Sequence, residues 1–158
     1  MSKLSPLLLS AAILLPAVSQ AAADWLPPLP AWQGSSEALI RSKGQPWVTP
    51  AELTGLTDSP DYAATMAYLH KLVDSSDLLQ LEQFGTSPQG RPLYLVKASR
   101  VLHKIANNPN RPLLLVQAGI HSGEIDGKDA GLMLLRDIAH GEKAHLLAGA
   151  DMLFIPIL

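Results

Sequence analysis

The chain contains no cysteine. Disulfides, thiolate metal ligands and a lipid anchored on a thiol are thereby excluded. Aromatic residues make up only 5% of its 158 positions and charged residues 16%. The formal charge is −2. The basic excess that marks a nucleic-acid binder is missing, so no nucleic-acid partner is expected. Neither H-E-x-x-H nor G-x-S-x-G occurs, which leaves the zincin helix and the hydrolase serine unsupported. Hydrophobic residues reach 47%, far from a disordered composition. The length suffices for one domain with a core.

What is present begins with an export signal. Lys3 gives a positive start, "PLLLSAAILLPAV" (6–18) is an apolar run too short to span a bilayer, and "SQAAA" (19–23) offers small residues for cleavage. Residues 1–23 are expected to be a signal peptide, and the protein to be periplasmic or secreted, with no membrane contact after cleavage. Loss of Lys3 leaves 11 basic against 14 acidic residues, a charge of −3.

Residues 24–58 read as an irregular Pro/Trp-rich arm, because "WLPPLPAWQG" cannot form a regular helix. Ser59 and Pro60 suit the N-cap and first position of a helix. Tyr62, Met66, Leu69 and Val73 then make one apolar stripe, with His70 off it and solvated. "LLQLEQFG" (78–85) and "RPLYLVKAS" (91–99) flank the turn "TSPQG" and predict a hairpin. The run 113–119, "LLLVQAG", suits a strand covered on both faces. "DGKDAGLMLLRDIAH" (126–140) predicts a helix on Ala130, Leu134 and Ile138 that stops at Gly141, and "MLFIPIL" (152–158) predicts a strand. This order predicts an α/β domain, a mixed sheet with helices on both faces. The chain stops inside that apolar run, an awkward sheet edge, and is expected to be a fragment truncated at the C-terminus.

The chemistry concentrates in "QAGIHSGEID" (117–126). His121 and Glu124 follow a buried strand and open a helix, at the carboxyl end of the sheet where α/β folds place their sites. Imidazole and carboxylate are both zinc ligands, and a catalytic zinc needs three protein ligands plus water. Two ligands make half a site. The segment is neither a P-loop, since Ser122 and Asp129 stand where glycine and a hydroxyl residue are needed, nor an EF-hand, since Ser122 and Met133 would be the first and last ligands. A bland alternative remains at this point: a strand-end histidine, and a glutamate favouring the helix dipole. His140 lies about 24 Å from residue 124 along a straight helix, so neither it nor His145 is expected as a further ligand. His103 sits in a loop, with solvent as its expected partner. Asp126 and Asp129 serve the helix N-terminus, with Asp126 also a candidate partner for His121.

From about residue 60 onward the chain resembles the zinc carboxypeptidase (funnelin) family. The resemblance is carried by an opening helix, by "FGTSPQGRPLYLVKAS" against a G-x-S-x-x-G-R-P-L-like turn, and by "LLLVQAGIHSGEIDG" against an apolar strand leading into G-x-H-x-x-E. It implies that residues 59–158 are the N-terminal part of a metallopeptidase catalytic domain acting on peptide or protein substrates, with His121 and Glu124 as the first two zinc ligands. In the family a later histidine completes the site, a glutamate near the C-terminus is the general base, and an Asn-Arg pair and a tyrosine hold the substrate. None of those matches a position here, so the chain as given is expected to be inactive. Some members carry arginine before the ligand glutamate, where this chain has Gly123, so specificity does not carry over. Two other functions stay open: a zinc-dependent deacylase (amidase) of small acylated amino acids, and a non-catalytic binding domain or pseudoenzyme.

Overall fold

The structure of the chain, a computed structural model, describes residues 34–107 and 110–158. The expected signal peptide, residues 24–33 of the arm, and positions 108 and 109 of the loop lie outside the described residues. Four strands form: β1 (Leu79–Thr86), β2 (Pro92–Ala98), β3 (Leu113–Gln117) and β4 (Asp151–Ile155). They lie in the order β1-β2-β4-β3. β2 is antiparallel to both β1 and β4, and β3 runs parallel to β4. With α1 (Pro50–Leu53), α2 (Tyr62–Val73) and α3 (Asp126–His140), the predicted order of helix, hairpin, strand, helix and strand is present. The class is α/β with a mixed sheet, as expected.

Register puts Leu79, Leu81, Val96, Ala98, Leu114, Val116, Met152 and Phe154 on one face of the sheet. Met66, Leu69 and Leu72 of α2 and Leu132, Leu135 and Ile138 of α3 pack with most of these residues into a single core. Full burial of each such side chain contributes about 1.5–3 kcal/mol relative to exposure. Contact is tight: a Cβ on Gly131 would stand 2.1 Å from the Phe154 ring, so only glycine lets α3 lie this close to β4.

Helices were expected on both faces of the sheet; among the described residues the two long helices share one. The other face mixes leucines with Gln80, Glu82, Lys97 and Gln117, and Lys97 pairs with Glu82 across the hairpin. The expected double cover of 113–116 also differs. β3 is an edge strand of this sheet, and Leu113, Leu114 and Leu115 are exposed. An apolar run marks a strand, but strand order decides what covers it.

Two local readings need correction. The N-cap of α2 is Asp61, whose carboxylate accepts from the Ala64 N–H at 2.8 Å; Ser59 lies outside the helix, with its hydroxyl engaged elsewhere. In α3 the buried residues are Lys128, Leu132, Leu135, Arg136, Asp137 and Ile138, while Ala130 is exposed. The burial of charged groups shifted that face.

The described part of the arm, 34–58, is less irregular than expected. Thr49 and Glu52 form a capping box around α1: Thr49 Oγ1 accepts from the Glu52 N–H at 3.3 Å, and Glu52 Oε2 accepts from the Thr49 N–H at 2.7 Å. T-P-A-E (49–52) is the S/T-x-x-E signature of such a box. Glu52 then meets Arg136 of α3, whose Nη1 lies 2.7 and 2.5 Å from its two oxygens. Arg136 also donates to Asp137 and to the Leu39 carbonyl. Trp47 adds a second anchor, stacked on His140 at 4.1 Å, with its carbonyl accepting from the Tyr68 hydroxyl at 2.9 Å.

Candidate metal centre

β3 ends at Gln117, and Ala118 extends its ladder by donating to the Ile155 carbonyl at 2.9 Å. Gly119 then turns the chain with φ +59°; a Cβ there would meet the Pro156 carbonyl at 2.9 Å. Residues 120–125 form an exposed turn between β3 and α3. His121 and Glu124 face each other within it. His121 Nδ1 lies 2.9 Å from Glu124 Oε2, and the two side chains are 74% and 68% exposed. The carboxylate can only accept, so Nδ1 is the donor in this hydrogen bond; a metal ion held between the two atoms would take the place of that proton. Glu124 N–H also donates to the His121 carbonyl at 3.2 Å.

This donor set fits zinc. Two ligands bound at about 2.1 Å with a tetrahedral angle stand about 3.4 Å apart, so a shift of about half an ångström admits an ion between these atoms. An adjoining hollow of about 340 Å³ is lined by Gln117, Gly119, Ile120, Gly123, Glu124 and Asp126 among others. Larger cavities lie elsewhere. One of about 620 Å³ sits between the arm and the end of α3, and one of about 530 Å³ between residues 56–59 and the start of α3. Neither includes His121 or Glu124, and the chemistry of the pair outweighs volume in locating the site.

The other candidates are distributed away from it. His140 Nε2 lies 2.7 Å from Ser75 Oγ; burial, then the charge of Arg41, hold its pKa below the ordinary value. His145 Nδ1 donates to the Glu142 carbonyl at 2.7 Å. His70 and His103 are exposed, and His70 meets Tyr94 edge-on at 6.0 Å. Asp126 and Asp129 stand in the first turn of α3. Among the described residues no cluster of three or more histidine, aspartate or glutamate side chains has metal-binding geometry.

The zinc carboxypeptidase family model matches residues 65–158. The chain belongs to that family. Solved carboxypeptidase structures share its fold. Carboxypeptidase A from Helicoverpa armigera matches with a TM-score of 0.56 at 17% identity, over 63% of this chain and 24% of its own. Bovine thrombin-activatable fibrinolysis inhibitor, in complex with tick carboxypeptidase inhibitor, matches with 0.53 at 17%, over 63% and 31%. A metallo-carboxypeptidase from Burkholderia cenocepacia matches with 0.53 at 15%, over 63% and 27%. The chain therefore spans about a quarter to a third of the length of those structures. No curated protein matches it. Family and fold together give a metallocarboxypeptidase-like α/β domain, whose family implies zinc.

Proposed function

We propose that His121 and Glu124 are the first two protein ligands of a zinc centre in an exported metallocarboxypeptidase that acts on peptides. The observation that carries this reading is the 2.9 Å approach of His121 Nδ1 to Glu124 Oε2 at the carboxyl end of β3, in a chain of the zinc carboxypeptidase family. Bound zinc would lower the pKa of its water and polarise a scissile carbonyl. The chain's own part is to offer one nitrogen and one carboxylate oxygen from a turn that a strand and a helix hold at its two ends. A catalytic zinc needs three protein ligands. The pair provides two, so the 158 residues are expected to bind zinc without hydrolysing peptides.

Calorimetric titration of the 158-residue chain with Zn²⁺ tests this. One site is expected, and His121→Ala or Glu124→Gln should weaken it by at least about tenfold, the effect of losing even an outer partner of a metal ligand. Zinc affinity unchanged by both substitutions would overturn the reading.

A further inference from the structure

Lys128 breaks two local rules. It stands in the first turn of α3, where the helix dipole disfavours a cation, and it shares the buried residues of that helix with Leu132 and Leu135. Its side chain is only 6% exposed. All three donors of its ammonium are nonetheless used. Nζ reaches Ser59 Oγ at 2.7 Å, the Pro60 carbonyl at 2.8 Å and Asp129 Oδ1 at 2.8 Å. Asp129 balances the charge. Ser59 and Pro60 precede α2, so this one side chain joins two distant parts of the sequence.

The junction it fixes carries the metal pair. Lys128 follows Glu124 by four residues, about one helical turn. The Asp129 N–H donates to the Ile125 carbonyl at 3.1 Å and closes the turn that contains Lys128. Gly127 packs on Ala118 beyond the end of β3, where a Cβ would find the Ala118 Cβ at 3.3 Å. The turn itself is held by little more than the Glu124–His121 backbone bond and the side-chain pair. Its carboxyl end therefore takes its position from the first turn of α3.

We propose that Lys128 is a positioning residue for the metal ligands: its buried ammonium pins the first turn of α3 to Ser59 and Pro60, and so holds Glu124 opposite His121. The inference rests on the zinc reading of that pair. Lys128 does not touch the ion and acts through the backbone.

The test compares Lys128→Met and Ser59→Ala with Ile138→Val, which trims the α3 core near the other end of the helix. Zn²⁺ affinity by calorimetry, the Co²⁺ absorption spectrum and the melting temperature are measured on the 158-residue chain. Lys128→Met should weaken Zn²⁺ binding about tenfold and alter the Co²⁺ spectrum. Ser59→Ala should act in the same direction by less. Ile138→Val should lower the melting temperature and leave both metal readouts unchanged. A folded Lys128→Met chain with wild-type Zn²⁺ affinity overturns the inference alone. Should that variant not fold, unchanged affinity in Ser59→Ala overturns it. Absence of His121-dependent zinc binding in the wild type removes the zinc reading and this inference together.

Discussion

Two acid–base pairs in this molecule have similar contact distances and opposite settings. Arg136 and Glu52 meet at 2.5 Å with both side chains fully buried. His121 and Glu124 meet at 2.9 Å with both largely in water. The buried pair is surrounded by further partners: Thr49, Arg41, Asp137 and the Leu39 carbonyl complete its hydrogen bonds, and no buried polar side-chain atom among the described residues lacks a partner. The exposed pair has each other and one backbone bond. A saturated pair holds structure together, because breaking it strands a charge away from water. An unsaturated, accessible pair stabilises little and keeps its lone pairs for a ligand.

The largest effect is expected from breaking the buried pair. Arg136→Met should cost about 3–5 kcal/mol, since it leaves the Glu52 carboxylate buried and unpaired. Denaturant unfolding measures this, and a loss below about 1 kcal/mol would remove the distinction between the two pairs. Against a total of about 5–15 kcal/mol, the substitution threatens the fold itself.

Acid should act on the same pair next. Burial pushes the Glu52 carboxyl up, but hydrogen bonds from Arg136, Thr49 and Arg41 outweigh it and hold the group below its ordinary 4.5. A carboxyl whose pKa falls on folding binds protons more readily when unfolded. Its contribution is therefore complete above the unfolded value and lost as pH falls through the lower folded one. Melting temperature should drop as the pH is taken below about 4.5. Glu52→Gln should start lower and fall less steeply, and parallel curves for the two chains would refute the assignment.

The smallest effect belongs to the exposed pair. His121→Ala should change stability by less than about 0.5 kcal/mol, measured by the same unfolding curves, while weakening Zn²⁺ binding. A large stability loss would make the pair structural and merge the two classes.

The comparison also separates what the sequence discloses from what it conceals. The bounds of α3 are legible, because apolar periodicity and a following glycine are local signals. The hairpin is legible from its turn residues. The T-P-A-E capping box is equally local, but it lies in a stretch whose irregular reading comes from the prolines of "WLPPLPAWQG" upstream of it. The cover of β3 is another matter: its neighbours depend on a strand placed later in the chain. Asp61 rather than Ser59 caps α2 because the Ser59 hydroxyl accepts from Lys128, a contact between residues far apart in sequence. In the candidate site His121 and Glu124 stand out by chemical type. Lys128 does not, although a cation in the first turn of a helix and on its apolar side was a signal that could have marked it.

The sheet order has a consequence for how the chain is made. β4 lies between β2 and β3, yet a ribosome completes both of those strands first. The β1–β2 hairpin can close as soon as it emerges, whereas β3 has no neighbour until Asp151–Ile155 arrives. At about 5–20 residues per second, the three exposed leucines of β3 wait for seconds beside an open edge. During that interval neither edge of the strand is paired, whereas in the finished sheet β4 covers one of them, and a chaperone that recognises extended apolar segments would find its target at Leu113–Val116.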